Sequence, residues 1–238
     1  KWPHVLGLDV AGVVDAVGEG ANQWRTGDRV FYHGDLSKAG GFAEYAITTA
    51  HTTARIPDGV GFAEAAAIPC AGLTAYEAVV RRLNVQPDHI VWMQGGAGGV
   101  GGFAVQMCAN IGAAVITTAS ERNHEYVKSL GASYAIDYAN EDVVARIMEI
   151  TKGRGVDRVL AAVDEATADQ GIEVLAFRGG LATVAGLPQL AESTFDNARS
   201  VHRIAYGGAH TSSNREAQVD LALMAEEMIA LVAEKTID

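Results

Sequence analysis

The sequence predicts an α/β fold: a doubly wound parallel sheet preceded by a smaller, β-rich part. Three observations predict it. From His89 onward, short apolar runs alternate with segments of helical period, the pattern of βαβ units. A glycine-rich loop stands between the first of those runs and a helix. Residues 1 to about 60 instead carry short alternating runs separated by glycine turns.

Within the first part, residues 10–17, 28–32 and 42–47 read as strands. Residues 63–83 are alanine-rich and helical in period, with an interruption at Pro69. Strands are then expected at 90–94, 114–119, 134–138, 156–163, 180–186 and 201–206. The intervening helices are expected at 99–111, 123–130, 142–151 and 167–175, with a long closing helix at 215–235. Parallel strands joined by helices are covered on both faces, which accounts for the continuous apolar runs. The division this reading gives is a β-rich domain over 1–65 and a dinucleotide-type domain over 66–238.

Composition narrows the function classes. The chain has 238 residues, 49% of them hydrophobic and 20% charged, too apolar for a disordered chain. Its net charge of −11 argues against nucleic acid or an anionic membrane as partner, since both need a basic face. Cys70 and Cys108 are too few for a disulfide framework, so a cytoplasmic, reducing environment is expected. Residues 90–120 lack charge and are long enough to span a bilayer. Gln94, Gln106, Asn110 and the glycine run within them fit a buried α/β core instead. The opening Lys1-Trp2-Pro3-His4 carries no signal pattern and does not read as a translation start.

The strongest motif is the loop containing Gly96, Gly98 and Gly101, spaced G-x-G-x-x-G, with a strand before it and a helix after. Such glycines permit a tight turn, close approach of backbone N–H groups to a pyrophosphate, and close helix–strand packing. The backbone of Gly96, Gly98, Gly99, Val100 and Gly101 is therefore expected to hold a dinucleotide. The end of the following strand selects the cofactor. There the sequence runs Ala119-Ser120-Glu121-Arg122. Ser120 can donate to a 2′-phosphate and Arg122 can pair with it, which favours NADP(H). Glu121, turned inward, would suit NAD.

Read in this order, the chain resembles the medium-chain dehydrogenase/reductase superfamily, and within it the zinc-free quinone oxidoreductase branch. The resemblance rests on Gly7-Leu8-Asp9, Gly27-Asp28-Arg29-Val30, Gly41-Phe42-Ala43-Glu44-Tyr45 and Ala71-Gly72-Leu73-Thr74-Ala75-Tyr76. The glycine loop, Ser129-Leu130-Gly131-Ala132, Asp137-Tyr138 and Gly153-Arg154-Gly155-Val156-Asp157 complete it. It implies a Rossmann domain joined to a partial GroES-like catalytic domain, since strands at the start and a returning segment at the end of that family's pattern have no counterpart. It also implies that Tyr138 accompanies Ser120 and Arg122 around the 2′-phosphate and adenine. Thr74 is implied to touch the nicotinamide. Ala185, Gly186, Leu187 and Gly208 follow the last two strands and are placed to contact the nicotinamide by backbone atoms.

Zinc-dependent relatives use a Gly-His-Glu motif, which here is Gly7-Leu8-Asp9. Leucine cannot coordinate a metal, so Cys70 reads as a small buried residue rather than a ligand and no zinc is expected. Residues 31–40 hold no cysteines for a structural site. Asp9 replaces the family's metal-region glutamate and is a candidate catalytic group, or equally a structural carboxylate. Of the histidines, His124 is expected on an exposed helix face and His89 just before a strand.

Without a Lewis acid, reduction of an already polarised acceptor is the easier chemistry. The expected activity is NADPH-dependent hydride transfer to a quinone or an α,β-unsaturated carbonyl, a small electrophilic acceptor. The alternatives are a reductase of enoyl thioesters and an NADPH-binding protein with little turnover. The strand at 201–206 is expected to pair with its mate in a homodimer.

Overall fold

A computed structural model describes residues 4–189 and 197–238. The chain forms two compact units, Lys1–Leu73 with Ala205–Asp238, and Thr74–Ile204.

In the first unit, β1 (Asp9–Val13) pairs antiparallel with β2 (Arg29–His33), and β2 with the short β3 (Ala54–Arg55). Glycine turns allow this: Gly20 and Gly27, between β1 and β2, both have positive φ. α1 (Phe62–Ala67) runs into a π-helical turn, Ile68–Gly72, with Pro69 at its start. The expected interruption of the helix thus falls at Pro69, whose missing N–H breaks the α ladder. Phe31, Ile68 and Met228 are buried in this unit.

α2 (Leu73–Tyr76) carries the chain from the first unit into the second, and a second π-helical stretch, Glu77–Arg82, follows. Its sheet contains β4 (Ile90–Met93), β5 (Ala114–Ala119), β6 (Tyr134–Asp137), β7 (Val156–Ala161), β8 (Leu175–Thr183) and β9 (Ser200–Arg203). Their order is β6-β5-β4-β7-β8-β9, all parallel. Strand order reverses between β4 and β7, the switch point where such sheets bind ligands. α3 (Gly99–Ile111), α4 (His124–Ser129), α5 (Val143–Ile150) and α6 (Glu165–Val174) connect the strands. Three of these boundaries have a clear local cause. Gly112, at φ +97°, ends α3, and the Ala113 N–H bonds back to the Cys108 carbonyl. Asp142 caps α5, and Asp164 forms a capping box with Thr167 on α6. Trp92, Ile116, Ile136, Ile147, Val159 and Leu181 form the core.

The structure corrects four expectations. Residues 42–47 form no strand, and Phe42, Tyr45 and Ile47 are exposed. The alternation is present in the sequence, but among the described residues no strand pairs with them. β8 begins at Leu175, five residues earlier than expected, directly where α6 ends. Between the pairs Val156↔Leu175 and Arg158↔Gly180, β7 advances two residues and β8 five, a bulge that includes Arg178 at φ +61°. β9 ends at Arg203; Tyr206 starts a 3-10 helix, Tyr206–Thr211. Finally, α7 (Arg215–Ala233) belongs to the first unit, not to the dinucleotide-type unit expected over 66–238. Helical period reveals an apolar stripe but not the surface it covers. Among the described residues, no helix is long and apolar enough to cross a membrane.

Candidate cofactor site

The glycine loop leaves β4 at the switch point. Gly95 has φ +63° and is the turn glycine, a role the spacing alone did not assign to it. The Gly98 N–H closes the turn on the Gly95 carbonyl at 2.9 Å. A Cβ on Gly96 would stand 2.2 Å from Thr117 Oγ1, and one on Gly101 2.2 Å from the Gly95 carbonyl oxygen. Neither position has room for a side chain. Gly98 is the N-cap of α3 and supplies no side-chain cap, and the first turn holds no acidic residue. The first α-helical bond runs from the Gly102 N–H to the Gly98 carbonyl at 2.7 Å. The N–H groups of Gly99, Val100 and Gly101 precede it and have no intrahelical acceptor. A bare helix start with three such donors favours an anion. β5 fixes the loop from beneath, because the Thr118 carbonyl accepts from Gly96 N–H and Thr118 Oγ1 from Gly95 N–H.

At the tips of β5 and β6 the register Ala119↔Asp137 places Ser120 and Tyr138, one residue further along each strand, at one sheet edge. Tyr138 is 61% exposed. Arg122 is exposed on a 3-10 turn, Glu121–Asn123, and has no ion-pair partner among the described residues. Glu121 is exposed beside it. The Asp137 side chain accepts from Ala139 N–H and from Asn140 Nδ2, so it serves its own turn. His124 differs from expectation. It is half-buried, and its Nε2 lies 3.2 Å from the Ala119 carbonyl oxygen that ends β5. A helical wheel cannot show a ring folded back onto the preceding strand. His89 stands before β4 as expected, its Nδ1 accepting from Gln86 N–H.

After β8, Ala185 and Leu187 are exposed. Gly186 lies against the start of α6, where a Cβ would stand 3.0 Å from Glu165 backbone atoms, and its carbonyl accepts from the Thr183 hydroxyl. Thr74 is buried on α2. These residues share the second unit with the loop.

Asp9 and Gly208 lie in the first unit. Asp9 Oδ1 accepts from Cys70 N–H at 2.6 Å. Desolvation raises the Asp9 pKa above the usual carboxylate value, and the Cys70 N–H opposes it. Cys70 is exposed rather than buried, because the π-helical turn carries it outward; desolvation and the Asp9 charge raise its thiol pKa. Tyr206 Oη donates to the Pro69 carbonyl at 2.6 Å on the same turn. Gly208 is exposed on the 3-10 helix and not at a strand end, since β9 stops earlier.

Residues 1–58 match the alcohol dehydrogenase GroES-like domain, and residues 99–226 match the zinc-binding dehydrogenase family. The second match alone spans more than half of the chain. The chain belongs to the medium-chain dehydrogenase/reductase family, in its quinone oxidoreductase-like branch. This dehydrogenase/reductase is 37% identical over 165 residues to a chloroplast envelope quinone oxidoreductase homolog of Arabidopsis thaliana, covering 67% of this chain and 50% of that protein. The chain thus spans about half the length of the curated relatives it matches. Among solved structures it resembles quinone oxidoreductase of Pseudomonas syringae, with TM-score 0.87 at 30% identity. That likeness covers 100% of this chain and 73% of the other. Escherichia coli quinone oxidoreductase complexed with NADPH gives TM-score 0.86 at 28% identity, covering 100% and 73%. In this family member Leu8 follows Gly7 and precedes Asp9, and no group of three or more His, Cys, Asp and Glu able to hold a metal occurs among the described residues.

Proposed function

We propose that this chain belongs to an NADPH-dependent oxidoreductase that reduces a quinone or an α,β-unsaturated carbonyl without zinc. One observation carries the cofactor reading. A loop closed to side chains at Gly96 and Gly101 presents backbone donors, and the tip of β5 offers Ser120 and Arg122 with no carboxylate on the strand itself. The resemblance to an NADPH-complexed quinone oxidoreductase supports it. The residues fit the group: Gly99, Val100 and Gly101 N–H would hold the pyrophosphate, and Ser120, Arg122 and Tyr138 the 2′-phosphate and adenine. Thr74 and the backbone at Ala185, Gly186 and Leu187 would meet the nicotinamide, which when bound supplies a hydride.

The absence of zinc is read from Leu8, an aliphatic side chain in the position of an imidazole ligand. An acceptor with its own electron-poor carbon needs no Lewis acid, only orientation and hydrogen bonds to the developing anion. Asp9 holds Cys70 N–H and so acts first as a positioning group for the π-helical turn. The activity is tested directly on the expressed protein. NADPH and NADH binding are read by fluorescence, then oxidation with 1,2- and 1,4-quinones, 2-alkenals and crotonyl thioesters. Turnover on quinones or alkenals with NADPH preferred is expected. Tight NADPH binding without turnover on any acceptor would overturn the enzymatic reading, and faster turnover of the thioesters would replace the acceptor class. Stoichiometric zinc after purification in metal-free buffer would overturn the metal reading.

A further inference from the structure

Two residues that no motif singled out, Asn123 and His124, stand directly behind the β5 tip. We propose that they are positioning residues which prepare this tip for a phosphate monoester and so set the preference for a 2′-phosphorylated cofactor. The inference rests on the NADPH reading above and adds to it the residues that create the preference.

The argument is one of hydrogen-bond polarity. Asn123 Nδ2 donates to Ser120 Oγ at 3.2 Å, while Asn123 N–H closes the 3-10 turn on the Ser120 carbonyl at 2.8 Å. An amide NH₂ group only donates. Ser120 Oγ is therefore the acceptor in this pair, and its own proton turns elsewhere. Among the described residues that proton has no acceptor. A phosphate dianion presents acceptors only, so a hydroxyl already committed as acceptor on one side is prepared to donate on the other.

His124 performs the complementary task. A carbonyl oxygen only accepts, so the bond of 3.2 Å to Ala119 requires the hydrogen on Nε2. The carbonyl that ends β5 is thereby engaged, its partial negative charge offset by the His124 N–H. With it engaged, the tip presents the Ser120 proton and the exposed Arg122 guanidinium, which has no ion-pair partner among the described residues. The Lys128–Glu125 pair on α4 is satisfied within itself at 3.1 Å.

The test measures dissociation constants of NADPH and NADH, and of 2′,5′-ADP against 5′-ADP, by calorimetry on the full chain. Asn123→Ala and His124→Ala are each expected to weaken the 2′-phosphorylated ligand by about 2- to 10-fold, the worth of one neutral hydrogen bond. The unphosphorylated ligand should change by less than about 2-fold. His124→Gln, which keeps an N–H of similar reach, should restore the ratio. In a Ser120→Ala background, Asn123→Ala should have no further effect. Equal losses for both ligands, or an unchanged ratio in every variant, overturn the inference while leaving the NADPH reading intact. A wild-type chain that binds both ligands equally overturns the NADPH reading, and this inference with it.

Discussion

His33 Nδ1 lies 3.3 Å from His210 Nε2, joining the end of β2 to the 3-10 helix of the same unit. The rings stack with centroids 5.5 Å apart, and the edge of Tyr206 closes on His33 at 5.1 Å. One nitrogen of this pair must donate and the other accept, so the pair is stable as two neutral rings. Burial, and then the charge of His210, hold His33 down at about 4, with Asp35 acting in the opposite direction. Desolvation lowers His210 as well.

The sign of the pH dependence follows. Between the ordinary imidazole value of 6.5 and about 4 the unfolded chain binds a proton at residue 33 that the folded chain refuses. Stability is full above pH 6.5 and falls as pH drops toward 4, by about 3 kcal/mol at the lower limit. Urea unfolding at stepped pH should show this decline in the wild type and a flatter curve in His33→Gln. Parallel curves would remove the pair as its cause.

Glycine substitutions in the phosphate loop should separate by what a methyl group meets. Gly101→Ala drives its Cβ onto the Gly95 carbonyl oxygen at 2.2 Å, a backbone atom that cannot step aside. A loss of about 1–3 kcal/mol is expected, as for other overpacked sites. Gly98→Ala meets only that same oxygen, at 3.3 Å, and its φ of −86° suits any residue. It should cost less than about 1 kcal/mol. Equal losses in chemical denaturation would mean that the close packing of α3 on the turn is not what residue 101 provides.

These glycines also mark how far the sequence could be read. The spacing of Gly96, Gly98 and Gly101 was sufficient to locate the loop, because strand, turn and helix are local and periodic. The turn glycine was not identifiable, since Gly95 and Gly96 are adjacent and only φ distinguishes them. The β5 helix-to-strand boundaries were similarly local: α3 and β5 fall at the predicted residues because Gly112 separates them. Long-range features were not legible. His33 and His210 are 177 residues apart, and nothing in either neighbourhood indicates the other. The fate of α7 was hidden for the same reason, since an apolar stripe does not name its partner surface. His124 lay closer to reach: a ring at the start of a helix, five residues after a strand's last carbonyl, can fold back on it.

Arg122→Ala tests the cofactor reading most directly. Its guanidinium is exposed and has no ion-pair partner among the described residues, so its removal leaves no protein charge unpaired. Loss of a charge-assisted contact should weaken NADPH by about 10- to 100-fold. NADH should respond by less than about 3-fold, having no phosphate at that position. Fluorescence titration of both cofactors decides it, and tighter binding of NADH by the wild type would assign the strand tip to the unphosphorylated ribose.

The proposed homodimer can be tested on the edge of the sheet. β9 pairs only with β8 among the described strands. The Ile204 N–H donates to the Thr183 carbonyl at 2.9 Å, opposite the pair Thr183↔Arg203. In a parallel ladder the neighbouring N–H groups alternate in direction, so those of Arg203 and Val201 face away from β8. A twofold mate could pair there antiparallel, removing the open edge for both copies. Arg203→Pro deletes one outward N–H and none that β8 uses. Light scattering on the wild type should give about twice the 24.9 kDa of one chain, and the variant should shift to the single-chain mass with its cofactor loop intact. A wild type that elutes as a single chain, or a variant that remains paired, would place any association elsewhere than on β9.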